Sequence, residues 1–258
     1  MFVMESYKTS LKGKIAIVTG AGRGMGEAIA KKLSIFGATV IVNDLDESMM
    51  NKVVKEIKIS NGDALGYQAD VGNYLQVEQM VDEVVSKYGS IDILINNAGI
   101  LRRRESIEEI DDKEWDLVMK INVKGVFNCS KVVLKYMKEK KSGKIVNISS
   151  SAGRSTSELG GAHYTASKAA VLGLTRHLAR EAAPYNINVN SICPGLIDTP
   201  MIRETTSIKE LDKWREEIPM GKLGEPESVA DLVLFLVSDA SAYINGATID
   251  INGASLLI

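Results

Sequence analysis

Seven short apolar runs, separated mostly by stretches of helical periodicity, predict an α/β fold: a doubly wound, seven-stranded parallel sheet with helices on both faces. Two observations carry that prediction. Runs such as IAIV and ILI are apolar throughout, as strands covered on both faces are. No shift in composition divides the chain, so residues 11–258 read as a single domain behind a short flexible leader at 1–10. A TIM barrel would need eight such units and a different closure.

The elements follow in order. KIAIVT (14–19) is compact and rich in β-branched residues, a buried strand. GEAIAKKLSIF (26–36) has helical spacing and stops at Gly37. TVIVND (39–44) is the second strand, and a charged helix over about 46–60 ends at Asn61-Gly62. ALGYQAD (64–70) is the third strand, followed by a helix over about 73–88 that ends at Gly89. IDILINNAG (91–99) is the fourth. A long helix over about 111–140 ends in KEKKSG, where lysines complement the negative end of the helix. KIVNISS (144–150) is the fifth strand, and the next helix runs from about 162 to Pro184. NINVNSIC (186–193) is the sixth, cut off by Pro194-Gly195. Residues 198–220 read as irregular with one short helix, a lid or wall over a substrate. ESVADLVLFLVSD (227–239) is a helix and GATIDI (246–251) the seventh strand.

Composition narrows the function. With 45% hydrophobic and 25% charged residues the chain is an ordinary globular protein. A net charge of −2 leaves no electrostatic footprint for nucleic acid. The longest apolar run, LVLFLV (232–237), is far short of a membrane span. Cys129 and Cys193 make no disulfide framework, which fits a reducing cytoplasm. His163 and His177 stand outside any Cys/His cluster, so no metal site is expected.

TGAGRGMG (19–26) lies between the first strand and its helix. Glycines there let the backbone approach a pyrophosphate, and the helix offers it free N–H groups and its positive end. The fit is Gly20, Gly24 and Gly26, not the literal G-x-G-x-x-G, and it points to a Rossmann-type nucleotide site. Asp44, closing the second strand, is placed to accept hydrogen bonds from ribose hydroxyls and to repel a 2′-phosphate, which favours NAD. Arg23 argues for NADP, since it could pair with that phosphate. NAD is the preferred reading.

YTASK (164–168) places Tyr164 and Lys168 one helical turn apart. With T-G-x-x-x-G-x-G at Thr19–Gly26, N-N-A-G at Asn96–Gly99, and Pro194-Gly195 with Thr199 in a T-x-M context, the whole chain from about residue 11 to 254 resembles the short-chain dehydrogenase/reductase superfamily. That resemblance implies hydride transfer between a nicotinamide and an alcohol or carbonyl, in a homotetramer. It implies that Met25 joins the glycine turn, Asp70 and Val71 hold the adenine, and Asn97, with Ala98 and Gly99, supports the cofactor. Ile197 and Thr199, beyond Pro194-Gly195, would hold the carboxamide. Asn122, on the long helix, corresponds to a residue associated with a water that links the lysine to solvent.

The chemistry explains the Tyr–Lys pair. Reducing a ketone leaves an alkoxide that needs a proton from a positioned acid whose pKa lies near the working pH. Tyrosine ionises at about 10, and a nearby ammonium favours the phenolate. Lys168, aided by the oxidised nicotinamide, is therefore expected to lower the pKa of Tyr164, and by resemblance to bind the nicotinamide ribose. A serine of NISSSAG should hold the substrate oxygen. Strand register selects Ser150, family spacing to the tyrosine selects Ser151, and Ser150 is preferred.

No G-x-S-x-G elbow supports a serine hydrolase, so His163 reads as a helix-start residue or a pocket wall. Arg102-Arg103-Arg104 reads as a solvated face, or as a contact for an anionic substrate. The leading function is an NAD-preferring alcohol or polyol dehydrogenase. The alternatives are an NADPH-dependent 3-oxoacyl-carrier-protein reductase and a nucleotide-binding sensor without turnover.

Overall fold

The structure is a computed structural model that describes residues 9–104, 106–157 and 159–258. Most of the expected leader at 1–10 lies outside the described residues. Seven strands form one all-parallel sheet: β1 (Ile15–Thr19), β2 (Thr39–Asp44), β3 (Asp63–Gln68), β4 (Ile93–Asn96), β5 (Gly143–Ile148), β6 (Ile187–Pro194) and β7 (Thr248–Ile251). Their order is β3-β2-β1-β4-β5-β6-β7. The direction of winding reverses between β1 and β4, which opens a crevice at their carboxyl ends.

Nine α-helices are described: α1 (Gly24–Ile35), α2 (Glu47–Ile59), α3 (Tyr74–Tyr88), α4 (Asp112–Met119), α5 (Gly125–Lys140), α6 (Ala162–Ala182), α7 (Pro200–Thr205), α8 (Ile208–Glu217) and α9 (Pro226–Val237). Side chains alternate across each strand and so build two cores. Ala16 and Val18 of β1 face Ile29 and Leu33 of α1, Val53 of α2 and Val233 of α9. Ile15 and Ile17 face Val77 and Val81 of α3, Val133 and Met137 of α5 and Leu178 of α6. Each such aliphatic side chain contributes roughly 1.5–3 kcal/mol of burial.

Local chemistry sets the boundaries. Asp46 and Asn73 cap α2 and α3 by accepting N–H groups of the first turn, and Gly89 closes α3 in the left-handed region at φ 81°. β4 is shorter than the expected 91–99. The Asn97 N–H turns back to the Ile95 carbonyl at 3.1 Å and leaves the ladder. β3 stops at Gln68, not 70, and beyond it the Asp70 carboxylate accepts the Gly72 N–H at 2.8 Å in a side-chain turn.

Two expectations need correction. The segment 198–220 is not irregular with one short helix. It folds as α7, begun by Pro200 at its first position, and α8, begun by a capping box between Ser207 and Glu210. The long helix over 111–140 is interrupted by a π-helical turn, Lys120–Lys124. Among the described residues no helix is long and apolar enough to cross a membrane.

At the end of the sheet opposite the crevice, buried Asp92 accepts the Ile15 N–H at 2.9 Å and pairs with Lys140 and, at 3.6 Å, with Lys14. Asp92→Ala should therefore cost about 2–3 kcal/mol of stability, because a buried N–H and a cation lose their acceptor. Turnover per folded molecule should be unchanged. Urea denaturation beside an activity assay checks both.

Candidate active site

β1 delivers the chain to a turn that only glycine can make. Gly20 and Gly24 both sit at φ +61°. A Cβ on Gly26 would lie 2.2 Å from the Gly20 carbonyl oxygen and 2.5 Å from Asn97 Nδ2. No side chain caps α1, so its first N–H groups are left for a ligand. Asn97 locks the turn from the other strand, donating from Nδ2 to the carbonyls of Thr19 and Gly20 at 2.9 Å. Thr19 Oγ1 accepts the N–H groups of Asn97 and Ala98 at 3.0 Å.

The turn floors a cleft of about 340 Å³. Gly20, Arg23, Gly24, Met25, Gly26, Asp44, Asp70, Val71, Asn97, Ala98, Gly99 and Thr199 all line it. A cradle that a single Cβ would fill, under an uncapped helix start, suits the pyrophosphate of a dinucleotide. Asp44 Oδ2 accepts the Gly22 N–H at 2.8 Å. Asp70 is paired with Lys120 at 2.8 Å. Arg23 is engaged by Glu204 of α7 at 2.7 Å, across the mouth of the cleft.

A second cavity, of about 280 Å³, shares Leu101 with the first. Ser150, Ser151, Tyr164 and Gly195 line it. Tyr164 and Ser150 share its wall, the Ser150 hydroxyl acting on the phenol, and Ser150 Oγ accepts the Ala152 N–H at 3.1 Å. Ser149 is buried and donates to the Lys168 carbonyl at 2.8 Å, which removes it from consideration. Lys168 is buried beneath Tyr164, with Nζ 5.7 Å from the ring centre and donating to the Ile148 carbonyl at 3.0 Å.

Burial governs the charges of this pair. It pushes the Tyr164 phenol above its ordinary value, with the Ser150 hydroxyl opposing. It pushes Lys168 down to about 8. The expected lowering of the Tyr164 pKa by Lys168 is not seen in the chain alone, where Ser150 is the group that opposes burial.

Asn122 sits in the π-turn, where the wider coil lets its side chain serve another segment. Its Oδ1 accepts the Ile100 N–H at 2.8 Å, and its Nδ2 donates to the Ile100 carbonyl at 2.9 Å and to Ser167 Oγ at 3.0 Å. A Cβ on Gly99 would lie 3.3 Å from Asn122 Oδ1 and 3.4 Å from Lys168 Nζ, so both side chains lie close to Gly99.

Four sequence-identified residues stand apart from the cavity walls: Lys168, Asn122, Pro194 and Ile197. Pro194 ends β6, and Ile197 is buried in a bridge to Gly224. Sequence reading passed over Asn43, whose buried Nδ2 donates to the Tyr67 and Ala69 carbonyls while its residue lines the first cleft. A buried amide near a strand end was its signal. Also passed over were Ser155, Thr156, Ser157 and Leu159 of the second cavity, which carry no pattern of their own. Arg103 and Arg104 are not a free basic face. They pair with Glu210 and Glu114 at 2.6 and 2.5 Å. His163 does start a helix but is fully buried and lines neither cavity.

Known proteins resemble this chain in sequence and fold. A family model described as Enoyl-(Acyl carrier protein) reductase, adh_short_C2, matches residues 20–254. The chain is 40% identical over 247 residues to the 3-oxoacyl-(acyl-carrier-protein) reductase of Thermotoga maritima, across 96% of this chain and 99% of that one. The crystal structure of gox2181 superposes with a TM-score of 0.94 at 35% identity, covering 98% of this chain and 99% of that one. A short-chain type dehydrogenase/reductase from Mycobacterium marinum superposes with a TM-score of 0.91 at 33% identity, covering 97% and 98%.

The depressed Lys168 has a thermodynamic consequence. The unfolded chain binds this proton up to pH 10.5, the folded chain only up to about 8. Below pH 8 the buried charge costs the native state about 3 kcal/mol, and the cost fades as pH rises from 8 to 10.5. Lys168→Met should therefore be more stable than the parent by about 1–3 kcal/mol at pH 7. That gain should shrink across this window in urea titrations; a gain constant with pH would exclude the depressed lysine.

Proposed function

The chain belongs to the short-chain dehydrogenase/reductase family, an oxidoreductase of carbonyl and hydroxyl groups with a nicotinamide cofactor, and we propose that Tyr164 is its proton donor and acceptor. The observation that carries this reading is the placement of Tyr164 and Ser150 together on the wall of one cavity, which meets the glycine-lined cleft at Leu101. A bound nicotinamide supplies or takes up the hydride. Tyr164 gives its proton to the substrate oxygen in reduction and takes it back in oxidation. Ser150 holds that oxygen by a hydrogen bond, and Ser151 on the same wall is the alternative. Lys168 keeps positive charge under the phenolate left behind and reaches toward the nicotinamide ribose. Asn122 anchors the segment after β4 and faces the lysine, where a water would complete a path to solvent.

The cofactor we propose is NAD. Asp44 places a carboxylate in the adenosine end of the cleft, and Arg23, the cation that could answer a 2′-phosphate, is held by Glu204. Asp70 and Val71 would hold the adenine, Asn97, Ala98 and Gly99 would support the cofactor at the central crevice, and Thr199 would hold the carboxamide, with Pro194, Gly195 and Ile197 shaping that loop. Residues 198–220 form the lid. The chain is proposed to work as a cytoplasmic homotetramer, with exposed Trp115, Leu117 and Phe127 of α4 and α5 offering apolar contact surface.

Among the described residues the second cavity has apolar walls at Leu101, Leu159, Leu196, Ile202 and Trp214, hydroxyls at Ser155, Thr156 and Ser157, and Glu217 as its one charged side chain. A secondary alcohol and its ketone fit these walls. A 3-oxoacyl thioester is the second reading, favoured by the apolar wall and by the Thermotoga maritima relative's name.

Tyr164→Phe should lower kcat by about 100-fold or more with cofactor affinity unchanged. Stopped assays following reduced-nicotinamide absorbance test this with secondary alcohols, polyols and acetoacetyl thioesters; undiminished turnover would remove Tyr164 from the chemistry. The serine assignment fails if Ser151→Ala abolishes turnover while Ser150→Ala does not. Asp44→Ala should erode the preference for NAD over NADP at least about tenfold in kcat/KM. An unchanged ratio would remove that role.

A further inference from the structure

His163 directly precedes Tyr164 in the first turn of α6 and is fully buried. Its imidazole makes two hydrogen bonds of opposite sense. Nδ1 accepts the Tyr164 N–H at 2.9 Å, a donor shared with the Gly161 carbonyl at 3.0 Å. An accepting Nδ1 leaves the proton on Nε2. Nε2 therefore donates to Glu114 Oε1 of α4, at 3.0 Å. Glu114 is fixed in turn, because its other oxygen accepts from Arg104 Nη2 at 2.5 Å.

The rings are also seated from the opposite side. A Cβ on Gly160 would fall 2.7 Å from Cβ and Cγ of Tyr164, and one on Gly161 would fall 3.0 Å from His163 Cε1. The two glycines therefore lie flush against both side chains. Gly161 gives α6 no side-chain cap, so the imidazole is what ties its first turn to α4.

We propose that His163 and Glu114 are positioning residues that hold Tyr164 in register with Ser150. This rests on the role given to Tyr164 above. Arg104 aims the Glu114 carboxylate, the carboxylate sets the imidazole tautomer and plane, and the imidazole holds the backbone from which the phenol projects. A chain of this kind fixes a reacting group to within a fraction of an ångström, a tolerance that catalysis demands.

The test separates the links. His163→Leu removes both bonds. In His163→Asn, Oδ1 stands near the place of Nδ1 and can still accept the Tyr164 N–H, but the shorter side chain loses Glu114. Glu114→Leu likewise cuts only the far link. The first readout needs no turnover: the ¹³Cζ resonance of Tyr164 in the cofactor-free chain, assigned by its loss in Tyr164→Phe. It should move most in His163→Leu, and by a smaller and similar amount in Glu114→Leu and His163→Asn. The second readout is reduction of acetoacetyl-CoA by NADH, where kcat should fall about 10- to 100-fold in His163→Leu and less in the two variants that keep the near bond, at an unchanged Kd for NADH. An unmoved resonance in His163→Leu, or Glu114→Leu and His163→Asn both matching the parent, would overturn the proposal. If His163→Leu does not fold, the Glu114→Leu resonance decides. Loss of turnover in Tyr164→Phe with full turnover in His163→Leu defeats only the positioning role; full turnover in Tyr164→Phe defeats the assignment of Tyr164 itself.

Discussion

The approach of α1 to the ends of β1 and β4 is the constraint from which the rest of the site follows. Gly26 passes so near the Gly20 carbonyl and the Asn97 amide that no side chain fits between them. That proximity puts the uncapped start of the helix at the point where the sheet reverses its winding. Thr19 and Asn97 then use their side chains to tie the two diverging strands together, so the crevice between them keeps its width. An anion-binding cradle there is a product of backbone packing. The ionisable groups around it modify what it accepts.

Around the second cavity, burial rules the ionisable groups. Lys168 and Tyr164 are buried, and burial drives each toward its uncharged form. Such a pair is poised: a charge formed on either group is poorly solvated and depends on the other. The surrounding structure holds that pair still with polar groups that are all engaged. Ser149 grips the Lys168 carbonyl, and Ser167 bridges the Tyr164 carbonyl to Asn122. Asn122 owes its reach to the π-turn, where the helix widens and the side chain pairs with both main-chain groups of Ile100.

The two cavities meet at Leu101, and the segment over both is built from α7 and α8. Thr199 and Met201 stand over the glycine turn, while Trp214 and Ile218 wall the second cavity. Trp214 packs with Leu159 and Ile202 in a small apolar cluster separate from the two main cores. Ion pairs from Glu204 to Arg23 and from Glu210 to Arg103 fasten the same segment to the body of the domain. Because both pairs are partly exposed, each holds weakly in water.

The strand–helix alternation, the glycine turn, Asp44, and Tyr164 with Lys168 were all readable from residue order alone. Each is a local signal: periodicity, a conformational demand, or two side chains one helical turn apart. The boundaries of β3 and β4 were not, because a side-chain turn at Asp70 and a retreating N–H at Asn97 end those ladders early. Nor was the π-turn at Asn122, whose cause lies with Ile100 on another segment. His163 looked like an ordinary helix-start residue, and its two partners come from the backbone of its neighbour and from Glu114, 49 positions earlier. Order along the chain therefore determined which groups exist and which elements carry them. Packing decided which of them touch, and whether burial or a neighbouring charge rules their protons, because desolvation depends on everything that surrounds a group and not on its place in the sequence.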